Sequence, residues 1–363
     1  MISEIAHGQF RERPARRAMM TGVRRLISPG LSLLLLGLSL MLPAAPAAEV
    51  PNRVREAIDT LRFVAYTPTD LSVIDGRVHA ASKAQIRRDL ERLRGDFQGL
   101  VTYSSADGVE QVPAIAAALG FRAVVLGVWD PTSEREIDTA IRLARRWPAL
   151  VVAVAVGNET LLAERHDWSV LRAAMQRVRA ALPGVAVATS EPFYYYLDDT
   201  PADFIASQDF LLPSVHPLFQ PWFNRATTTE QAIDFVAKVA GLLAEKSAKP
   251  VLIKETGLPS GPAQNGYSAA RQADFWTGLC RRLPYRPSLG VVYFEAFDHD
   301  WKAENARREF GLHPEEGYWG LYSGDGRAKT ALEQLRRFWQ EPGDGYCGLR
   351  PGNSEAMREA TPH

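Results

Sequence analysis

Runs in which Val, Ile, Leu and Ala occupy successive positions alternate along the chain with stretches whose apolar residues return every three or four positions. The continuous runs fall at 62–66, 99–103, 123–127, 150–156, 185–189, 210–215, 250–254 and 290–294. Apolar residues on both faces predict strands covered on both sides, as in a parallel sheet. Between them, Ile86, Leu90, Leu93 and Phe97 form one helical stripe. Ile137, Ala140, Ile141 and Ala144 form a second, and Ile233, Val236, Ala237 and Ala240 a third. A last helix over 328–339 carries Leu332, Leu335 and Trp339 on one side. Eight strands, each followed by a helix or long loop, predict an α/β chain folded as a single (β/α)8 TIM barrel over 49–340. The competing doubly wound sheet usually has a Gly-rich loop after its first strand; here that loop is Thr67-Pro68-Thr69-Asp70.

The ends read differently. Arg16, Arg17, Arg24 and Arg25 precede an apolar run from Leu31 to Leu42, and Ala45-Pro46-Ala47 offers small residues for cleavage. This order predicts a signal peptide over 1–48 and export to the periplasm or medium. An uncleaved N-terminal anchor holding the barrel outside the cytoplasm is the alternative, although a span needs about 20 apolar residues. The tail at 341–363, rich in Gly, Pro and charge, is expected to be disordered. The whole chain is formally neutral, and without residues 1–47 it carries −4. That balance implies no basic face, so nucleic acid is not an expected partner. Cys280 and Cys347 are too few for a disulfide framework or a metal site, and leave a single disulfide and free thiols both open.

In a barrel, chemistry belongs where strands end. Those positions hold Tyr66, Tyr103, Trp129 with Asp130, Asn158 with Glu159, Glu191, His216, Glu255, and Phe297 with Asp298. Aromatic rings stack on the C–H faces of sugars and carboxylates bond their hydroxyls, so the set fits a carbohydrate cleft. Glu159 and Glu255 each close a buried run abruptly. Paired carboxyls of this kind serve glycoside hydrolysis, one donating a proton to the leaving oxygen and the other attacking or shielding the sugar carbon. The plain alternatives stay open: a helix-start role for Asn158-Glu159, a loop brace for Glu191, and barrel closure for Tyr66 and Tyr103. His216 would orient Glu255 or sit in the core, and Trp301-Lys302 would form a sugar shelf or lie over the barrel. No Gly-x-Ser-x-Gly elbow and no paired His on one helix occur, which disfavours serine and zinc hydrolysis. No cofactor or metal is expected.

Five motifs carry a resemblance to a known family: Thr102-Tyr103-Ser104, Gly157-Asn158-Glu159, Ser190-Glu191-Pro192, Glu255-Thr256-Gly257-Leu258-Pro259-Ser260, and Phe294-Glu295-Ala296-Phe297-Asp298 with Trp301-Lys302. Their order resembles glycoside hydrolase family 17, the β-1,3-glucanases and glucanosyltransferases, and its bacterial branch in particular. The resemblance implies a retaining mechanism on β-1,3-glucan with Glu159 as acid/base and Glu255 as nucleophile. It implies that Asn158 bonds the sugar 2-hydroxyl; from their positions, Tyr66, Tyr103, Glu191, His216, Phe297, Trp301 and Lys302 are expected to line the substrate site. The partner would be a β-glucan polymer or oligosaccharide, bound by a monomer. Leu258, Val101 and His299 stand where the family usually has Trp, Arg and Glu, and His299 leaves Lys302 without its usual acidic partner. A glucanosyltransferase on the same residues and a non-catalytic glucan-binding scaffold are the alternatives.

Overall fold

The structure, a computed structural model, describes residues 52–341 except 284 and 312, together with 347 and 349. The expected leader at 1–48 and most of the expected tail at 341–363 lie outside the described residues. The strands are β1 Phe63–Ala65, β2 Ser72–Ile74, β3 Arg77–His79, β4 Gly99–Val101, β5 Ala123–Val128, β6 Val151–Asn158, β7 Ala186–Ser190, β8 Val251–Ile253 and β9 Leu289–Tyr293. Seven of them pair in parallel in the order β7-β6-β5-β4-β1-β9-β8. Their residues are buried almost throughout, as continuous apolar runs require.

The expected eighth run, 210–215, forms isolated parallel bridges in place of a ladder. Ser214 bridges Pro192 beyond β7 and Glu255 beyond β8, and Leu211 bridges Val251. Pro213 lies in the middle of the run and has no N–H to donate, so regular pairing is interrupted there. Its carbonyl still accepts from Lys254 N at 2.8 Å. The architecture is therefore a TIM-like α/β fold of seven laddered strands, with 210–215 lying between the two edges of the sheet.

Inside the sheet, size is complementary. Ala153, Ala155, Ala186 and Ala188 share a cluster with the bulky Phe63, Phe210, Phe294 and Trp319. Small residues on β6 and β7 admit large rings from elsewhere, which keeps the interior filled. Outside, helices bury the stripes read from the sequence. Glu134–Arg146 buries Ile137, Ala140, Ile141 and Ala144, while Thr229–Lys246 buries Ile233, Val236 and Ala240. Ser82, Ser133, Thr228 and Ser268 cap their helices, each accepting a backbone N–H in the first turn. No described helix is long and apolar enough to cross a membrane.

Two further features complete the described fold. The β2–β3 hairpin turns at Asp75-Gly76, both with positive φ (51° and 72°), the dihedrals a two-residue turn demands. Asp-Gly between short β-branched segments was the available signal. The second is that Cys280, on the helix Ala269–Arg282, is joined to Cys347 by a disulfide. This resolves the open choice, and Tyr293 Oη lies 3.1 Å from Cys347 Sγ. The bridge closes a sequence separation of 67 residues. Its removal by the double change Cys280→Ala, Cys347→Ala is expected to lower unfolding free energy by about 2–4 kcal/mol. A urea midpoint matching that of the oxidised parent would show that the bridge adds no stability.

Candidate active site

The end of β6 is re-aimed by one extra residue. Ala155 pairs with Ala188, but the next pair is Asn158 with Ser190, so three steps on β6 oppose two on β7. Gly157 takes up the irregularity with φ 79°, where a Cβ would also lie 2.7 Å from Thr160 Oγ1. Glu159 follows with φ 48°, an uncommon conformation for a non-glycine residue and one found disproportionately at functional sites. Its N–H donates to the Ser190 carbonyl at 2.7 Å.

Glu255 follows β8, and the 210–215 segment joins it to Glu159. Ser214 Oγ donates to Glu159 Oε1 at 2.6 Å, while the Ser214 backbone bridges Glu255 and Val215 N donates to the Glu255 carbonyl at 2.7 Å. One serine thus touches the side chain of the first glutamate and the backbone of the second. His216 Nε2 lies 3.4 Å from Glu255 Oε2, and the buried Lys254 Nζ lies 3.6 Å from Glu255 Oε1. Lys254 also donates to Asn158 Oδ1 and lies 4.2 Å from the centre of the Tyr103 ring.

These surroundings separate the two carboxyls. Desolvation, then the charge of Glu255, push the Glu159 carboxyl above its ordinary range, against the pull of His216, Ser214 and Lys254. For Glu255, burial acts upward but is outweighed by the His216 hydrogen bond and by Lys254 and Lys302, which hold the carboxyl down to about 2. The arrangement favours proton retention on Glu159 and ionisation of Glu255.

The remaining expected residues divide. His216 faces Glu255, with Phe219, Phe294 and Trp319 edge-on at 5.3–5.4 Å. Tyr103 has Lys254 Nζ 4.2 Å and Lys302 Nζ 5.8 Å from its ring centre. Lys302 pairs with Glu295 Oε2 at 2.5 Å, so the acidic partner missing at 299 is supplied from within the same motif. His299 is buried and held well below its ordinary pKa, by burial first and then by Lys302. Trp301 is half-buried, with its ring 6.0 Å from His299. Tyr66 and Phe297 were expected at the sugar and are enclosed instead. Both are fully buried, with their rings 6.4 Å apart, and Tyr66 Oη donates to Asp89 at 3.0 Å. Glu191 is also fully buried, with both oxygens occupied by the Leu161 and Leu162 amides.

Sequence reasoning missed Lys254, Ser214, Glu295 and Trp319. Only Lys254 gave a clear signal, as a lone cation closing an otherwise apolar strand. It also passed over exposed rings on loops beyond the strand ends: Phe219, Trp222 and Tyr318, in addition to Trp129 already noted. The Trp129 ring carries the Arg165 guanidinium 4.3 Å from its centre, and the Trp129 backbone N–H donates to Oε1 of the buried Glu136 at 2.9 Å.

Residues 64–320 match the family model of the BtgE/BtgC glycoside hydrolase domain. The chain belongs to that family. This glycosidase is 26% identical over 265 residues to a glucan 1,3-beta-glucosidase of Arthroderma benhamiae, covering 68% of this chain and 83% of the relative. Its identity to a glucan 1,3-beta-glucosidase of Schizosaccharomyces pombe is 25% over 304 residues, 77% of this chain and 90% of the other. Among solved structures, a glycoside hydrolase family 17 beta-1,3-glucanosyltransferase from Rhizomucor miehei shares the fold. The TM-score is 0.57 at 22% identity, over 76% of this chain and 97% of that one. A Formosa endo-laminarinase aligns with TM-score 0.57 at 19% identity, over 82% and 93%. The glycoside hydrolase membership expected from the motifs holds, and a family 17 enzyme shares the fold.

Proposed function

We propose that this protein is a retaining glycosidase acting on β-1,3-glucan, with Glu255 as nucleophile and Glu159 as acid/base. The observation that carries the reading is the opposite displacement of the two carboxyls, one raised and one lowered, around a shared serine. The names of the curated relatives support the substrate class. In the first step a Glu255 oxygen attacks the anomeric carbon, the glycosidic C–O bond breaks, and Glu159 gives its proton to the departing oxygen. In the second, ionised Glu159 takes a proton from water, which attacks the same carbon and frees Glu255. Asn158, whose Oδ1 accepts from Lys254, bonds the 2-hydroxyl in this reading, an interaction that tightens in the transition state. Tyr103, His216, Trp301 and Lys302, grouped around Lys254 and Glu255, complete the proposed sugar-binding surface.

The bridges made by 210–215 on both edges support a closed (β/α)8 barrel. The Cys280–Cys347 disulfide supports export to an oxidising compartment. Sizing the products formed from a β-1,3-gluco-oligosaccharide tests the activity. Shorter products establish hydrolysis, longer ones establish transfer to a second sugar, and an unchanged oligosaccharide overturns the catalytic reading.

Lys254 gives a separate test through pH. Glu255 must be ionised, so the acid limb of kcat/KM reports its pKa in the free enzyme. Lys254→Met removes a charge that favours ionisation; the Glu255 pKa should rise and the acid limb should move to higher pH by about one unit or more. A limb that stays in place would mean that Lys254 does not set the charge of Glu255.

A further inference from the structure

The turn that presents Glu159 is held from inside the protein by Ser190 and Glu191. Ser190 accepts the Glu159 N–H through its carbonyl at 2.7 Å. The Glu191 carboxyl, fully buried, accepts Leu161 N at 2.9 Å through one oxygen and Leu162 N at 3.2 Å through the other. Its backbone carbonyl accepts Ser214 N at 3.0 Å, fixing the residue whose hydroxyl donates to Glu159 Oε1. Ser190-Glu191 therefore holds Glu159 at its own amide, at the turn that follows it, and through Ser214 at its carboxyl.

The need for such a clamp follows from the backbone. Glu159 sits at φ 48°, and Gly157 before it at φ 79°, so the segment departs from extended conformation twice in three residues. A conformation of this kind persists only where surrounding contacts over-determine it. Leu161, Leu162, Glu164 and Arg165 lie on the outer side and are at least partly exposed, so apolar packing does little to fix the turn. Two hydrogen bonds to one buried carboxyl supply what packing does not. With both oxygens committed and the side chain enclosed, Glu191 has no surface to offer a sugar.

We propose that Glu191 is a positioning residue for the acid/base, holding the 160–162 turn so that the Glu159 carboxyl meets the leaving oxygen. The proposal rests on Glu159 being the proton donor. It predicts a loss that depends on how much protonation the leaving group needs. Glu191→Gln keeps the size of the side chain but sets an amide NH2 against one of the two backbone N–H groups. Cleavage of a β-1,3-gluco-oligosaccharide, whose leaving group is a sugar alkoxide, should fall about 10–100-fold in kcat/KM, the scale of a displacement near 1 Å. The dinitrophenyl glycoside of the same donor sugar leaves without protonation, and its kcat/KM should change less than about threefold. Affinity for the oligosaccharide product, measured as an inhibition constant, should be retained. Leu162→Pro removes one donated N–H from the exposed side of the turn without entering the core, and should show the same split if Glu191→Gln does not fold.

Equal losses on both leaving groups, a loss confined to sugar affinity, or no loss would each overturn the proposal. Glu159→Ala, measured alongside, separates its failure from that of the reading beneath it. If Glu159→Ala itself shows no dependence on leaving group, Glu159 is not the proton donor. If it does and Glu191→Gln does not, Glu191 is not its positioning residue.

Discussion

Glu255→Ala is expected to lower turnover of β-1,3-gluco-oligosaccharides by roughly 10⁵–10⁶-fold, the scale on which covalent catalysis collapses when its nucleophile is removed. The carboxyl is held ionised by His216, Lys254 and Lys302. The deletion opens a small space beside three positive or hydrogen-bonding groups, which suits a small anion. Added azide should therefore restore cleavage of a substrate with an activated leaving group. The product should be a glycosyl azide of inverted configuration, because azide attacks the substrate directly from the face the nucleophile used. Product configuration by proton NMR decides the point. A retained azide from this variant would remove Glu255 from the nucleophile's role.

Glu159→Ala is the second large effect and should have a different form. Loss of the proton donor is expected to slow oligosaccharide cleavage by about 10²–10⁴-fold. Formation of the glycosyl-enzyme from a dinitrophenyl glycoside needs little protonation and should survive. Hydrolysis of that intermediate then lacks its base, so the intermediate accumulates, and azide should intercept it. Since azide now reacts with a covalent intermediate already inverted once, the product should have retained configuration. The parent's basic limb of kcat/KM, set by a Glu159 carboxyl raised by desolvation and by Glu255, should disappear in the variant. Two variants giving azides of the same configuration would be incompatible with the two roles assigned here.

The two glutamates were legible because their signal is local. A run such as Val151 to Val156 is buried on both faces, and a polar residue ending it has to be accommodated at the rim. The same logic exposes Lys254 in retrospect. Tyr66 and Phe297 carry the same kind of signal yet are fully buried, because a strand-end ring is equally well accommodated against another ring, and a tyrosine hydroxyl against a buried carboxylate. Aromatic identity does not encode direction. Carboxyl identity constrains it far more, since a buried Glu without donors is costly.

Continuous apolar runs, helical stripes and capping residues act over a few positions, and they determined by themselves the α/β alternation, the order of the elements and the placing of Glu159 and Glu255 at strand ends. The tertiary structure decided which groups face each carboxyl. Ser214 reaches Glu159 across 55 residues, His216 reaches Glu255 across 39, and Lys254 reaches Asn158 across 96. It also decided that Cys280 pairs with Cys347, that Glu295 partners Lys302, and that Glu191 turns inward to the 160–162 turn. Periodicity records whether a side chain is covered, whereas the identity of the covering neighbour depends on how distant strands align. That alignment pushes the pKa values of two chemically identical glutamates in opposite directions.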